Sequence, residues 1–351
     1  MNFSRTLNQW YRSNKRDLPW RNTTDPYKVW LSEIILQQTR VDQGMSYYLK
    51  FIEHYPTVEG LARASEDQVL KLWQGLGYYS RARNLHSTAK TIAHDYNGIF
   101  PNNYKGLLKL KGVGPYTAAA IASFCFGENQ AVVDGNVYRV LARIHGEFSP
   151  IDTPAGKRRF QQLADEALDP LYPGEHNQAM MEFGATHCTP KSPKCESCPF
   201  NKVCIAYRTD QVSLLPQKSK KQKVKDVFFN YLVFAESDHL WLRKRNENGI
   251  WKNLHDFPLI ESDSRKESDW LARESTEKYG SVKRVQEPIP VEKEYTHVLS
   301  HRKIHARFYL VNAGPENNAE ENLIRVHKSK IGDFAIPRLI ENFFEDHPEL
   351  I

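Results

Sequence analysis

Four groups of residues have types and spacings that could do chemistry. The first is a lone carboxylate, Glu33, within Tyr27-Lys28-Val29-Trp30-Leu31-Ser32-Glu33-Ile34-Ile35-Leu36. Side chains three and four apart are neighbours on a helix, so Val29, Trp30 and Leu36 crowd this group and only Gln37 offers polarity. A carboxylate so surrounded is paired, protonated or functional, because an unpaired buried charge is costly and burial raises the pKa instead. An ion pair with Arg21 or Arg40 is the structural reading; proton transfer near neutral pH is the functional one. The second group is Asp134, just ahead of Gly135-Asn136 and a helix with apolar Val137, Val140, Leu141 and Ile144. Its position suits a helix cap as well as a catalyst.

The third group is Gly112-Val113-Gly114-Pro115, between Leu107-Leu108-Lys109-Leu110 and a helical pattern from Thr117 to Phe124. Two glycines permit a tight turn with positive φ and uncovered N–H groups, and proline suits the first helical position. Such a helix start is a phosphate site, although an ordinary connection between helices has the same pattern. The fourth group is Cys188-x6-Cys195-x2-Cys198-x5-Cys204, four of the chain's five cysteines. A secreted disulfide framework would not leave the remaining chain almost free of cysteine, so a metal site is the stronger reading. Zinc and a [4Fe-4S] cluster both satisfy four thiolates at this spacing. Cys125, alone in an apolar helix, reads as core.

The elements that must position these groups are mostly helices. An amphipathic helix with Phe3, Leu7, Trp10 and Tyr11 on one side ends near Asp17-Leu18-Pro19. The helix carrying Glu33 starts at Asp25-Pro26, a cap followed by proline, and is apolar all round, as a buried helix is. Between Val41 and Phe100, helices alternate with loops such as Trp73-Gln74-Gly75-Leu76-Gly77-Tyr78-Tyr79, followed by Ser80-Arg81-Ala82-Arg83. Aromatic residues beside arginines suit stacked nucleic-acid bases; packed tyrosines over a solvated basic face are the alternative. Met180 and Met181 need only be core.

At Val212 the character changes to a basic linker, residues 212–225. Beyond it, VFFNYLVFAE, HLWLRKR and IHARFYLV read as strands, with one helix around Trp270 to Tyr279, so this part is α/β. A length of 351 residues accommodates two or three domains, and a formal charge of +6 favours a polyanionic partner. No segment is apolar for long enough to cross a bilayer and the first residues are too polar for a signal peptide, so a cytoplasmic, nucleoid-associated location is expected.

Taken together, LSEIILQQT (Leu31 to Thr39), GLGYYSRARNLH (Gly75 to His86), LKGVGPYTAAAI (Leu110 to Ile121), VVDGNVYRVLAR (Val132 to Arg143) and the cysteine spacing resemble the MutY-type adenine DNA glycosylases over nearly the whole chain. The resemblance implies a multidomain fold: an all-α helix-hairpin-helix glycosylase core with a [4Fe-4S] module over residues 1–211, a linker at 212–225, and an α/β Nudix-like domain over 226–351. Within the first part it implies a six-helix subdomain at about 26–130 and an iron-sulfur subdomain from 1–25 plus 131–211. It implies one [4Fe-4S] cluster on Cys188, Cys195, Cys198 and Cys204, and a monomer acting on double-stranded DNA with adenine opposite 8-oxoguanine or guanine.

The same resemblance distributes roles. Glu33 is the acid that protonates departing adenine, Asp134 stabilises the sugar cation or attacks it, and Tyr116 and Asn136 position this machinery. Arg21 and Gln178 contact the extruded base or its surroundings; Gln38, Leu76 and Tyr78 enter or prop the duplex; Gly112 and Gly114 hold its backbone. Endonuclease III, similar in scaffold, has a lysine where Tyr116 stands, and Schiff-base strand cleavage requires that amine. A monofunctional glycosylase is therefore expected, against two competing readings: a bifunctional glycosylase and lyase, or a non-catalytic iron-sulfur DNA-binding protein.

The C-terminal part departs from the Nudix pattern G-x5-E-x7-R-E-U-x-E-E-x-G-U. Arg273-Glu274 and Glu277 survive, whereas Leu259 replaces the first glycine, Arg265 the first glutamate and Lys278 a metal-ligand glutamate. Diphosphate hydrolysis is not expected from so incomplete an anionic cage. Leu299-Ser300-His301 resembles the family's 8-oxoguanine loop, with leucine in place of phenylalanine, and makes Ser300 and His301 candidate contacts to that base.

Overall fold

The computed structural model describes residues 3–219, 224–246, 249–279, 289–299, 301–311 and 323–351. The chain forms two compact units: Met1–Arg63 with Asn84–Lys220, and Ala64–Arg83 with Lys221–Ile351. The helices are α1 (Phe3–Asn14), α2 (Pro26–Leu36), α3 (Val41–His54), α4 (Val58–Arg63), α5 (Glu66–Trp73), α6 (Ser80–Asp95), α7 (Tyr104–Leu107), α8 (Pro115–Phe126), α9 (Gly135–His145), α10 (Pro154–Ala167), α11 (Pro173–Thr186) and α12 (Ile205–Arg208). Helices α5 and the first turn of α6 belong to the second unit.

In the first unit, α2 starts where its sequence directs. The Asp25 carboxylate accepts from the Tyr27 N–H at 2.9 Å and Pro26 fills the first position. Its apolar circumference is buried from Tyr27 to Ile35, against α3 and α8. Helix α9 begins at Asp134 and ends at Gly146 with φ 61°, a left-handed C-terminal glycine. Its apolar stripe, Val137, Val140 and Leu141, joins Leu7 and Tyr11 of α1, Phe160 of α10, and Phe183 of α11 in one core. Gly184 lets α11 approach α9 closely: a Cβ there would lie 2.6 Å from the Asn136 Cβ.

The second unit holds two sheets. One has the order β4-β1-β7-β5, with β1 (Lys225–Phe234) parallel to β7 (Arg302–Val311) and antiparallel to β4 (Leu259–Ser262); β5 is Ile289–Pro290 and β6 (Tyr295–Val298) also pairs β7. The other is antiparallel, β3-β2-β8, from His255–Asp256, His239–Lys244 and Leu323–His327. The expected helix is present as α13 (Ser268–Tyr279), and a second one, unexpected from the sequence, is α14 (Arg338–Asp346). Helix α14 buries Leu339, Ile340, Phe343 and Phe344, and Phe343 stacks on Phe308 of β7 with centroids 4.0 Å apart. Of the basic linker, residues 220–223 lie outside the described residues, as does Ser300.

Candidate active site

Helices α2, α8, α9 and α11 of the first unit, with the turn Pro19–Arg21, wall an open cavity of about 170 Å³. Glu33, Tyr116, Asp134, Asn136, Arg21 and Gln178 all line it. The structure thus gathers into one pocket six residues drawn from five separated stretches of sequence.

Glu33 is 6% exposed and makes no ion pair among the described residues. Among the described residues its carboxylate receives one hydrogen bond, from the Tyr116 hydroxyl, which donates to Oε2 at 2.7 Å. Burial pushes its pKa up to about 7, with Asp134 nearby adding to the rise, while the Tyr116 hydrogen bond and Arg21 oppose it. The carboxyl therefore holds and releases a proton near neutrality, which an acid-base catalyst needs. Burial likewise drives the Tyr116 phenol well above its ordinary range, so it stays a donor.

Asp134 is the helix cap its position suggested, and it also stands at the cavity wall. As the N-cap of α9, its Oδ1 accepts from the N–H groups of Asn136 at 2.8 Å and Val137 at 2.7 Å, and Oδ2 accepts from the Asn136 amide at 2.7 Å. Burial raises its pKa against the pull of these hydrogen bonds and of Arg139. Arg139 then fixes Asn136, donating to its Oδ1 at 2.8 Å, and reaches the carbonyls of Gly184 at 2.6 Å and Cys188 at 2.7 Å. The site is tied in this way to the start of the cysteine loop.

Arg21 does not neutralise Glu33. It donates to Glu182 at 2.6 Å and lies over the Tyr11 ring, 5.7 Å from its centroid. The Tyr11 hydroxyl in turn donates to Gln178 Oε1 at 2.8 Å. Glu182, a wall of the cavity that the sequence reading missed, is fully buried and also receives two bonds of 2.8 Å from the Arg16 guanidinium. Burial alone would raise its carboxyl, but the hydrogen bonds from Arg16 and Arg21 outweigh that and pull it down to about 2. The signal was available: Glu182 stands in Ala179-Met180-Met181-Glu182-Phe183, a carboxylate in an apolar run like the one around Glu33. Trp20 and Met181 also line the cavity and were not singled out for it.

The four clustered cysteines, none in a disulfide, line a second cavity together with Arg143, Phe183 and Phe200. Arg143 donates to Cys188 Sγ at 3.4 Å and the Phe200 N–H to Cys198 Sγ at 3.4 Å. Such donors stabilise thiolates. Among the described residues no three His, Cys, Asp or Glu side chains converge as a single metal ion requires. Zinc would draw all four sulfurs to ~2.3 Å of one atom, whereas a [4Fe-4S] cluster spreads them over four irons. The four-thiolate donor set fits the cluster.

The residues expected to meet DNA divide. In the first unit, Gly112 has φ 76° and a Cβ there would lie 2.7 Å from the Asn84 Cβ, so both the turn and the close packing demand glycine. Gly114 departs from the expected positive φ: it is extended, with φ −86°, and caps α8 without a side-chain bond. Nothing lies within 4 Å of where its Cβ would be, so the backbone just ahead of α8 has open space on that side. Gln38 is exposed at φ 56°. In the second unit Tyr78 is 52% exposed at φ 48°, whereas Leu76 is only 7% exposed and is not presented. His301 is exposed in the β6–β7 turn, closed by a 2.7 Å bond from the Leu299 N–H to the Arg302 carbonyl.

A helical core with an open helix start, a cysteine cage and a pocket of buried carboxylates defines a DNA glycosylase of the helix-hairpin-helix class. Residues 31–166 match the HhH-GPD superfamily of base excision DNA repair proteins, residues 188–204 the iron-sulfur binding domain of endonuclease III, and residues 230–346 the NUDIX domain. An adenine DNA glycosylase of Buchnera aphidicola subsp. Schizaphis graminum is 32% identical over 348 residues, 98% of either chain. The Arabidopsis thaliana adenine DNA glycosylase is 36% identical, covering 87% of this chain and 56% of its own, and the Homo sapiens one is 42% identical, covering 62% and 42%. Among solved structures, a thermostable thymine-DNA glycosylase superposes with TM-score 0.55 at 33% identity over 59% of this chain and 95% of its own. A non-covalent endonuclease III–DNA complex, at 22% identity and TM-score 0.51 over 59% and 94%, shares the fold. The chain belongs to the adenine DNA glycosylase family. It is accordingly an N-glycosyl hydrolase of base excision repair, binds DNA, and carries a [4Fe-4S] cluster. Among the described residues no helix is long and apolar enough to cross a membrane.

Proposed function

We propose that the protein excises adenine paired with 8-oxoguanine or guanine by a monofunctional, acid-assisted mechanism centred on Glu33. The observation that carries this reading is the uncompensated burial of Glu33 within reach of Tyr116, beside a cavity that also receives Asp134. Glu33 delivers its proton to N7 of the extruded adenine as the N-glycosidic bond breaks, so that a neutral base departs. The bonding electrons leave with adenine, and the sugar is left as an oxocarbenium-like cation. Asp134, fixed by two backbone N–H groups and by Asn136, stabilises that cation as an anion held in place before the bond breaks. Glu33, now a carboxylate, takes a proton from the attacking water, which restores it.

Arg21 and Gln178, both anchored from behind, face the base from one wall. Helix α8 receives a phosphate at Gly114 while Gln38 and Tyr78, strained and exposed, enter the duplex. Strand cleavage through a Schiff base has no support here: Tyr116 occupies the critical position, and no lysine is among the described residues lining the cavity. Borohydride treatment of the enzyme with adenine-containing duplex should trap no strong covalent adduct; an adduct abolished by replacing one lysine would contradict the monofunctional reading. In the C-terminal domain, Ser300 and His301 read the base opposite. His301→Ala should reduce the preference for 8-oxoguanine over guanine several-fold with the chemical step intact, and equal losses on both duplexes would overturn that role. Adenine release from the two duplexes, measured under single turnover, tests the whole reading: no release from either would refute it.

A further inference from the structure

The loop Gly75–Tyr79 between α5 and α6 has three positive φ values, 94° at Gly75, 71° at Gly77 and 48° at Tyr78. A tyrosine held in that region is strained and persists only where its surroundings over-determine it. Part of the support is local. Trp73 Nε1 donates to the Gly77 carbonyl at 3.0 Å, and the Arg81 guanidinium donates to the Leu76 and Gly77 carbonyls at 3.3 Å while lying over the Trp73 and Tyr78 rings.

The rest comes from the far end of the chain, within the same compact unit. Lys71, before the loop, donates to the Phe334 carbonyl at 3.2 Å, and the Gln74 amide donates to Glu341 of α14. Tyr79, after the loop, donates to the Ile336 carbonyl at 3.3 Å, and its oxygen accepts from the Gly75 N–H at 3.4 Å. Both rims of the loop are thus tied to one short stretch, Phe334–Glu341.

We propose that Phe334–Glu341 is a brace that holds the Tyr78 loop in its inserting conformation, with Glu341 and Tyr79 as its positioning residues. The C-terminal domain then assists extrusion of adenine whatever base stands opposite, in addition to any reading of that base. This rests on the proposed insertion of Tyr78. A preformed wedge spends no ordering entropy when it enters the stack, whereas a loosened loop must be ordered at that moment.

The test uses the full chain with its cluster and three duplexes, in which adenine faces 8-oxoguanine, guanine or an abasic site; in the last, no base pair has to be broken. Glu341→Ala should slow single-turnover adenine release roughly fivefold to tenfold on both paired duplexes, the effect of losing one ordinary net hydrogen bond. On the abasic duplex it should cost less than twofold. The fluorescence rise of 2-aminopurine at the target position should fall in parallel. Glu341→Gln, whose amide oxygen still accepts from Gln74, should restore both readouts. Should Glu341→Ala melt early, Tyr79→Phe removes only a hydroxyl and has the same expectation. Equal losses on all three duplexes, loss confined to 8-oxoguanine, or no loss at all would overturn the brace. Tyr78→Ala separates the two claims: if it blocks extrusion while the brace variants do not, the wedge stands and the brace falls; if it extrudes normally, the wedge reading falls and the brace with it.

Discussion

Two helices of this chain present glutamates that a motif search would treat alike, and their surroundings make them opposites. Glu33 sits in α2, apolar on every side, with a phenol donating to its carboxylate and a pKa near 7. Glu277 sits in α13, where the Nudix pattern survives as Arg273-Glu274 and Glu277, and faces solvent with Arg273. The difference teaches that reactivity here belongs to the packing around a carboxylate more than to the carboxylate. In α2 the core of the first unit closes over the group, and in α13 the side chain stands in solvent.

The comparison breaks if the two behave alike on mutation. Glu33→Gln should lower single-turnover adenine release by roughly 10³-fold or more, the upper range for removing a general acid, whereas Glu277→Ala should leave the rate within about twofold. Next in size, Asp134→Asn should cost on the order of 10²- to 10³-fold. Asparagine caps helices as well as aspartate does, so this variant removes charge while keeping the start of α9, and its melting temperature should stay within a few degrees of the parent. A large fall in stability together with activity would show Asp134 to be a cap and nothing more.

Stability sharpens the contrast. The folded-state pKa of Glu33 is raised from 4.5 to about 7, so its ionisation opposes folding: the penalty is absent below pH 4.5, grows as pH rises, and is complete above 7, at about 3 kcal/mol. Glu33→Gln should therefore melt higher than the parent at pH 8 and no higher at pH 4.5. Glu182, held down to about 2 by Arg16 and Arg21, has the opposite sign; its stabilisation is present above pH 4.5 and lost as pH falls toward 2. Equal melting differences for Glu33→Gln at both pH values would contradict the uncompensated burial of Glu33. The smallest expected effect among the cavity residues belongs to Tyr116→Phe. Loss of a hydrogen bond that lowers the Glu33 pKa should move the alkaline limb of the rate profile upward, with less than about a tenfold change in the maximal rate.

The helices that carry Glu33 and Asp134 were legible because they obey local rules, whereas Tyr116, Asn136, Arg21 and Gln178 were singled out for the pocket only by the family resemblance. Asp25-Pro26 starts a helix, an all-apolar circumference buries it, and Asp134 before a striped helix caps it. The separation of catalytic and C-terminal parts was legible near the linker, but not the membership of residues 64–83 in the second unit, since it depends on contacts with chain more than 160 residues away. Helix α14 escaped notice because Leu339-Ile340 and Phe343-Phe344 make a short stripe near the chain end, where a strand reading competes. The positive φ expected of the two glycines is found at Gly112 and not at Gly114, which is extended with open space beside it. The burial of Leu76 beside the exposed Tyr78 could not be told from their order, because three positive φ values decide which way the loop turns its side chains.

The pH dependence of single-turnover adenine release, compared between the parent and Glu33→Gln on the 8-oxoguanine duplex, tests the central claim most directly. The parent rate should fall as pH rises through about 7, where Glu33 loses its proton, and the residual rate of Glu33→Gln should lack that limb. The same limb near pH 7 in both proteins would show that another group supplies the proton.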